Sequence, residues 1–212
     1  MELYDSIPKR NVLIAVDVQN DFISGSLAVP EGEQVVSPIN KLAERVRATH
    51  LGRVAFTRDW HPAQTPHFDA WPMHCVRNTE GAAFHADLDI RPTDTIISKG
   101  TGTTDGYSGM EGKAKNGVTL EAMIEPQGWE DVAVFVGGLA TDYCVQATAI
   151  DVRRAFENRR NVEVYAIREA MRGVNLQPGD DIAAINKMAE AGVKTISLKE
   201  AFTRIDARRL EQ

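Results

Sequence analysis

The feature that most constrains this chain is a rhythm of short apolar runs rich in Val and Ile: NVLIAVD at 11–17, GRVAFTRD at 52–59, DTIISKG at 94–100, DVAVFVGG at 131–138, NVEVYAI at 161–167 and VKTISL at 193–198. Several lack the strict alternation of a strand with one wet face, so they read as strands covered on both sides. Amphipathic segments at 35–50, 119–126, 141–158 and 180–192 fall between them. Strand and helix in alternation call for crossover connections. The fold expected is therefore an α/β, three-layer αβα sandwich around a mainly parallel sheet of about six strands. The 212 residues show no internal repeat and no linker, and are read as one domain, 1–212.

Composition narrows the partners. A formal net charge of -6, from 24 basic and 30 acidic residues that are interspersed, offers no broad attraction for phosphate backbones or anionic membranes, so no nucleic acid and no membrane are expected. No apolar run approaches the ~20 residues that span a bilayer. The N-terminal MELYDSIPKRNVLIAVD lacks the basic and apolar regions of an export signal, which leads to a cytoplasmic expectation. In that compartment the two cysteines, Cys75 and Cys144, are expected as free thiols.

Open α/β sheets bind ligands beyond the C-terminal ends of their strands. Asp17 ends the first run, Asp59 and His61 follow the second, Lys99 closes the third and Cys144 follows the fourth. Two long connections are available to build on those ends. Residues 59–93 hold four of the five histidines, and residues 99–118 are glycine-rich and polar.

Within TRDWHPAQTPHFDAWPMHC, Asp59, His61, His67 and His74 combine one carboxylate with up to three imidazoles. That donor set suits a borderline divalent ion such as zinc, iron or manganese. The plainer reading is a loop whose histidines pack and hydrogen-bond. Cys75 could add a thiolate, yet the repeated CxxC pairs of closed structural zinc sites are missing. His50 reads as a helix-end residue and His85 as surface or packing.

Cys144 taken alone reads as a small core residue. A thiol in the first turn of a helix that opens after a Gly-Gly strand end meets unpaired N–H groups, which favour thiolate and could hold an oxyanion. Asp17 could move the thiol proton if its surroundings raise its pKa, with Lys99 to orient it.

The stretches DVQNDF at 17–22, TRDWHP at 57–62, WPMHC at 71–75, SKGT at 98–101 and GLATDYCVQATA at 138–149 resemble the nicotinamidases (pyrazinamidases), a branch of the isochorismatase-like cysteine hydrolases. The resemblance implies Asp17, Lys99 and Cys144 as a catalytic triad. Asp59, His61 and His74 would be metal ligands, with His67 as a fourth. It also implies a cis peptide between Leu139 and Ala140, an oxyanion hole from the N–H groups of Ala140 and Cys144, and an aromatic pocket of Phe22, Trp71, Tyr143 and Tyr107. The cofactor implied is one divalent metal ion, Zn2+ first, then Fe2+ or Mn2+. The substrate implied is a small-molecule amide, nicotinamide, hydrolysed through a thioester in NAD salvage; self-association into a homo-oligomer is favoured. A related amidohydrolase acting on maleamate, a carbamoyl or a ureido compound is the alternative. A non-catalytic metal-containing binding protein is the alternative from another class. Two departures stand out: Met73 replaces the proline of WPPHC, and the glycine-rich stretch differs around YSG.

Overall fold

The computed structural model describes residues 9–207. Residues 1–8, on which much of the reading of the N-terminus rests, lie outside them. The described chain runs β1 (Lys9–Val16), α1 (Asn20–Ile23), α2 (Val36–Arg47), β2 (Arg53–Asp59), β3 (Thr95–Lys99), α3 (Leu120–Ile124), β4 (Asp131–Leu139), α4 (Gln146–Ala155), β5 (Val162–Arg172), α5 (Asp180–Glu190), β6 (Lys194–Ile196) and α6 (Leu198–Ala207). Each apolar run of the sequence forms a strand, and the strands make one six-stranded sheet in the order β3-β2-β1-β4-β5-β6. Every neighbouring pair is parallel.

The pleat explains the layers. Leu13 and Ala15 of β1 point into one apolar cluster with Ile39 and Leu42 of α2 and Ile205 of α6. Val12, Ile14 and Val16 point into the other, with Leu120 of α3, Val152 of α4 and Met188 of α5. Because successive side chains leave a strand on opposite faces, a run that is apolar at every position needs a helical layer on each side. That is why β1 reads as an unbroken hydrophobic stretch.

Strand order reverses at the centre: β1 leads outward to β2 and β3 on one side, while β4, β5 and β6 fill the other. The crevice beyond the C-terminal ends of β1 and β4 is the switch point where such sheets receive ligands. No helix among the described residues is long and apolar enough to cross a membrane.

Candidate active site

The sheet itself assembles the first group. Asp59 and Lys99 are register partners at the ends of β2 and β3, and Asp17 and Cys144 follow the ends of β1 and β4. The Lys99 ammonium, 1 % exposed, spreads its three donors over this set. Nζ lies 2.5 Å from Asp59 Oδ1 and 2.8 Å from Asp17 Oδ2, and donates to Cys144 Sγ at 3.3 Å. Asp17 adopts a left-handed φ of 49° as the chain leaves β1. Its other oxygen, Oδ1, accepts from Thr57 Oγ1 at 2.6 Å.

Burial and pairing set the charges. Burial pushes the Asp17 carboxyl above the ordinary range; Lys99 pulls it back, and the like charge of Asp59 adds to the rise. Burial acts upward on Asp59 too, but there Lys99, and after it His61, outweigh it and hold the carboxyl below the ordinary range. For Lys99, burial alone would lower the pKa, and the two carboxylates reverse that and hold it well above. Cys144 departs from the sequence expectation of a thiolate-favouring turn. Burial pushes its thiol well up, and Asp17 and Asp59 add to this against the pull of Lys99. That direction favours the thiol form, beside a carboxylate able to take its proton.

The peptide between Leu139 and Ala140 is cis, as the resemblance implies. The turn that carries Cys144 differs from the helix start expected: Thr141–Val145 forms a π turn before α4 begins at Gln146. The N–H groups of Tyr143 and Val145 both reach the Ala140 carbonyl, each at 3.1 Å. Wide turns of this kind occur frequently at functional sites.

A second group comes from loops. Beyond β2 the chain stays extended: Trp60 N–H donates to Lys99 O, and His61 N–H donates to Cys75 O. His61, His67 and His74, all buried, each present a ring nitrogen, and these atoms lie within 4.8 Å of one another. Each ring is fixed from behind through Nδ1: His61 to Gly100 O at 3.0 Å, His67 to Asp105 Oδ1 at 2.7 Å, His74 to Pro72 O at 2.7 Å. That leaves Nε2 of all three facing inward, and buried His61 Nε2 has no hydrogen-bond partner. An orphaned ring nitrogen in a converging set, with every Nδ1 engaged by an outer acceptor, is the arrangement of imidazoles around a divalent metal ion. Burial also lowers the pKa of His74, which favours the neutral, ligating form. Asp59 joins the two groups, its Oδ2 3.7 Å from His61 Nε2 and its Oδ1 on Lys99. Cys75 lies outside both donor groups, buried in the apolar core. It and Cys144 are free thiols.

Both groups face a cavity of about 380 Å³, mouth included, lined in part by Cys144, Ala140, His67, His74 and Asp59. Its apolar walls include the four aromatics expected from the sequence, Phe22, Trp71, Tyr107 and Tyr143. Trp71 packs edge-on to Tyr143 with ring centroids 5.0 Å apart, and its Nε1 donates to Tyr107 Oη at 2.9 Å. Phe22 lies 5.4 Å from the His74 ring, centroid to centroid. Among the described residues, no lysine or arginine lines it.

Several supporting residues escaped the sequence reading. Gln19, fully buried, donates from Nε2 to Asp59 O and Ala82 O, both at 2.9 Å, and accepts from Asp59 N–H at 2.8 Å. It ties the exit of β1 to the end of β2. Asp21 accepts from Cys75 N–H at 2.7 Å, and Ser26 Oγ donates to Met73 O at 2.8 Å, so the loop around Met73 is pinned although its side chain is 60 % exposed. Asp142 accepts from Val174 and Asn175 N–H and seats Val174 on the cavity wall. The available signal was polar side chains inside the quoted motifs; their partners are fixed only by the fold. His50 is an exposed residue beyond α2, and His85 accepts from Asp87 N–H, both away from the cavity lining.

Residues 11–200 match the isochorismatase domain family. The nicotinamidase/pyrazinamidase of Mycobacterium tuberculosis is 38% identical over 194 residues, which cover 87% of this chain and 97% of that one. The nicotinamidase of Escherichia coli is 32% identical over 216 residues, 92% and 97% of the two chains. Among solved structures, the pyrazinamidase of Pyrococcus horikoshii in complex with zinc superposes with a TM-score of 0.75 at 35% identity, covering 89% of this chain and 99% of that one.

Proposed function

Because the chain belongs to the isochorismatase domain family, we propose that it is a single-domain, metal-dependent cysteine amidohydrolase that converts nicotinamide to nicotinate and ammonia. The observation that carries the reading is one small aromatic cavity onto which Cys144 and two of the three converging imidazoles, His67 and His74, open. His61, His67 and His74, with Asp59, would hold one divalent ion, Zn2+ before Fe2+ or Mn2+. When bound, the ion supplies a Lewis-acid site for an aromatic ring nitrogen, which suits a pyridine ring.

The chain's own residues would carry the chemistry. Phe22, Trp71, Tyr107 and Tyr143 hold the ring so that the carboxamide carbon sits over Cys144 Sγ. Asp17 takes the thiol proton as sulfur attacks, a transfer helped by a carboxyl whose burial raises its basicity. The N–H groups of Ala140 and Cys144 hold the tetrahedral oxyanion. Asp17 returns the proton to the amide nitrogen, the C–N bond breaks, ammonia leaves and a thioester on Cys144 remains. Asp17 then takes a proton from water, hydroxide attacks the thioester, nicotinate departs and the thiol is restored. Lys99 holds both carboxyls in place throughout and keeps Asp59 ionised while Asp17 cycles its proton. A lining without lysine or arginine supports a neutral aromatic amide over maleamate or a ureido acid, whose carboxylate needs a basic anchor. The setting would be cytoplasmic salvage of nicotinamide for NAD synthesis, by a homo-oligomer with no nucleic-acid partner, the last point supported by the net charge of -6.

Ammonia release from nicotinamide, maleamate and a simple carbamoyl amide tests this. Preferential release from nicotinamide, abolished by a chelator and reduced at least ~10³-fold in Cys144→Ala, is expected. Release only from the acidic or carbamoyl amide would overturn the substrate assignment. Turnover retained by Cys144→Ala would overturn the covalent mechanism.

A further inference from the structure

Two of the three imidazoles are oriented by backbone carbonyls, Gly100 O for His61 and Pro72 O for His74. Only His67 is oriented by a side chain, the carboxylate of Asp105 at 2.7 Å from Nδ1. His67 sits on a short 3-10 turn, Pro66–Asp69, within the long loop after β2. Asp105 comes from a separate stretch of chain, the glycine-rich connection after β3.

The fold brings that connection back deliberately. Gly106 has φ 67°, and a Cβ there would stand 2.3 Å from Gly100 N. The loop therefore closes against its own start, which a side chain at 106 would block. Gly100 in turn has φ 60° and lies so close to His61 that a Cβ would fall 2.5 Å from the ring. One closure of this loop thus supplies the acceptor for His61 and the acceptor for His67.

Resting on the proposed reading of His67 as a metal ligand, we propose that Asp105 is a positioning residue that holds the His67 ring with Nε2 inward and so sets how tightly the ion is kept. An anionic acceptor on Nδ1–H fixes the tautomer and raises the basicity of the ligating nitrogen. The Asp105 side chain is 57 % exposed while that of His67 is 3 % exposed. A hydrogen bond whose acceptor is more than half exposed is readily replaced by water and contributes little to folding. The effect of Asp105 is therefore read in metal affinity and only weakly in the stability of the chain.

The test equilibrates the full-length, Zn2+-loaded protein against a chromophoric chelator, for the wild type, Asp105→Ala, Asp105→Asn, His67→Ala and the His67→Ala/Asp105→Ala double variant. Thermal melts check folding. Asp105→Ala is expected to lose ~10–100-fold in Zn2+ affinity. Asp105→Asn, whose carbonyl oxygen can still accept from Nδ1–H, is expected to recover most of it. In the His67→Ala background, the Asp105 change is expected to add nothing. Wild-type affinity in Asp105→Ala, alongside weakened binding in His67→Ala, would overturn the role of Asp105 and leave His67 a ligand. Equal losses from Asp105→Ala with and without His67 would also overturn it, as a general charge effect. Unchanged affinity in His67→Ala would remove the ligand reading itself, and this inference with it.

Discussion

The two halves of the site are built by different means. Asp17, Asp59, Lys99 and Cys144 sit at or just beyond the ends of four parallel strands, so the register of the sheet brings them together. His67, His74, Trp71 and Tyr107 sit on loops, and their positions depend on individual hydrogen bonds across the two long connections. The first half holds opposed charges almost out of water. The second is assembled from acceptors that are partly wet, such as Asp105 and Tyr107. The difference teaches where each kind of damage will register: a change at the strand ends disturbs folding as well as chemistry, whereas a loop change leaves the fold and alters binding.

The sharpest way to break that comparison is Lys99→Met. Removing one partner from a buried ionic cluster leaves the others uncompensated, which is destabilising by about 3–5 kcal/mol. Here two carboxylates are left behind, 2.8 and 2.5 Å from the lost ammonium. Denaturant unfolding should show a loss of that size, together with loss of turnover. Against it, Asp105→Ala should move stability by less than about 1 kcal/mol. Near-wild-type stability in Lys99→Met would mean that the strand-end cluster is wetter and more adaptable than its burial indicates.

A subtler change sharpens the same half through pH. The activity kcat/KM reports the ionisations of the free enzyme. With Asp17 as base, it falls as pH drops through the Asp17 pKa, which burial raises above the ordinary carboxylate value of ~3.9. Thr57 O–H donates to Asp17 Oδ1 at 2.6 Å and stabilises the ionised form. Thr57→Val, nearly isosteric, removes that bond and so raises the pKa further. The acid limb should move to higher pH, with the plateau rate little changed. A limb that stays put, or moves to lower pH, would show that a group other than Asp17 controls it.

The sequence made the strand-end half legible because strand ends can be counted. Six Val- and Ile-rich runs became six parallel strands, and polar residues at their ends had to share one edge. The histidine set was legible as chemistry, from its concentration in one loop. What stayed hidden depends on pairing between distant segments. Gln19 spans β1 and β2, Asp105 reaches His67 across 38 positions, and Asp142 anchors the chain after β5; none has a local pattern that marks its partner. The upward push on the Cys144 thiol was hidden for a related reason. A helix start is visible in the sequence, but the depth of burial and two neighbouring carboxylates outweigh it. Helix α6 also went unassigned, since Leu198–Ala207 lies past the last run that the alternation pattern covers, and β5 runs on to Arg172, five residues beyond its apolar core.

The smallest expected effect probes the loop half. Trp71 Nε1 donates to Tyr107 Oη at 2.9 Å, and this bond clasps the loop after β2 to the loop after β3 at the cavity wall. Tyr107→Phe keeps the ring and removes only the acceptor. Both side chains are half-buried, so water can satisfy the freed indole N–H and the net loss is about 0.5–1.5 kcal/mol. If the clasp serves substrate and transition state alike, KM rises roughly two- to tenfold with kcat unchanged. The melting temperature should fall by no more than about 2–6 °C, because no strand depends on the bond. A fall in kcat at constant KM would place the clasp in the reaction itself, tightening as the carboxamide carbon becomes tetrahedral, and the loop half would then take part in catalysis alongside the strand ends.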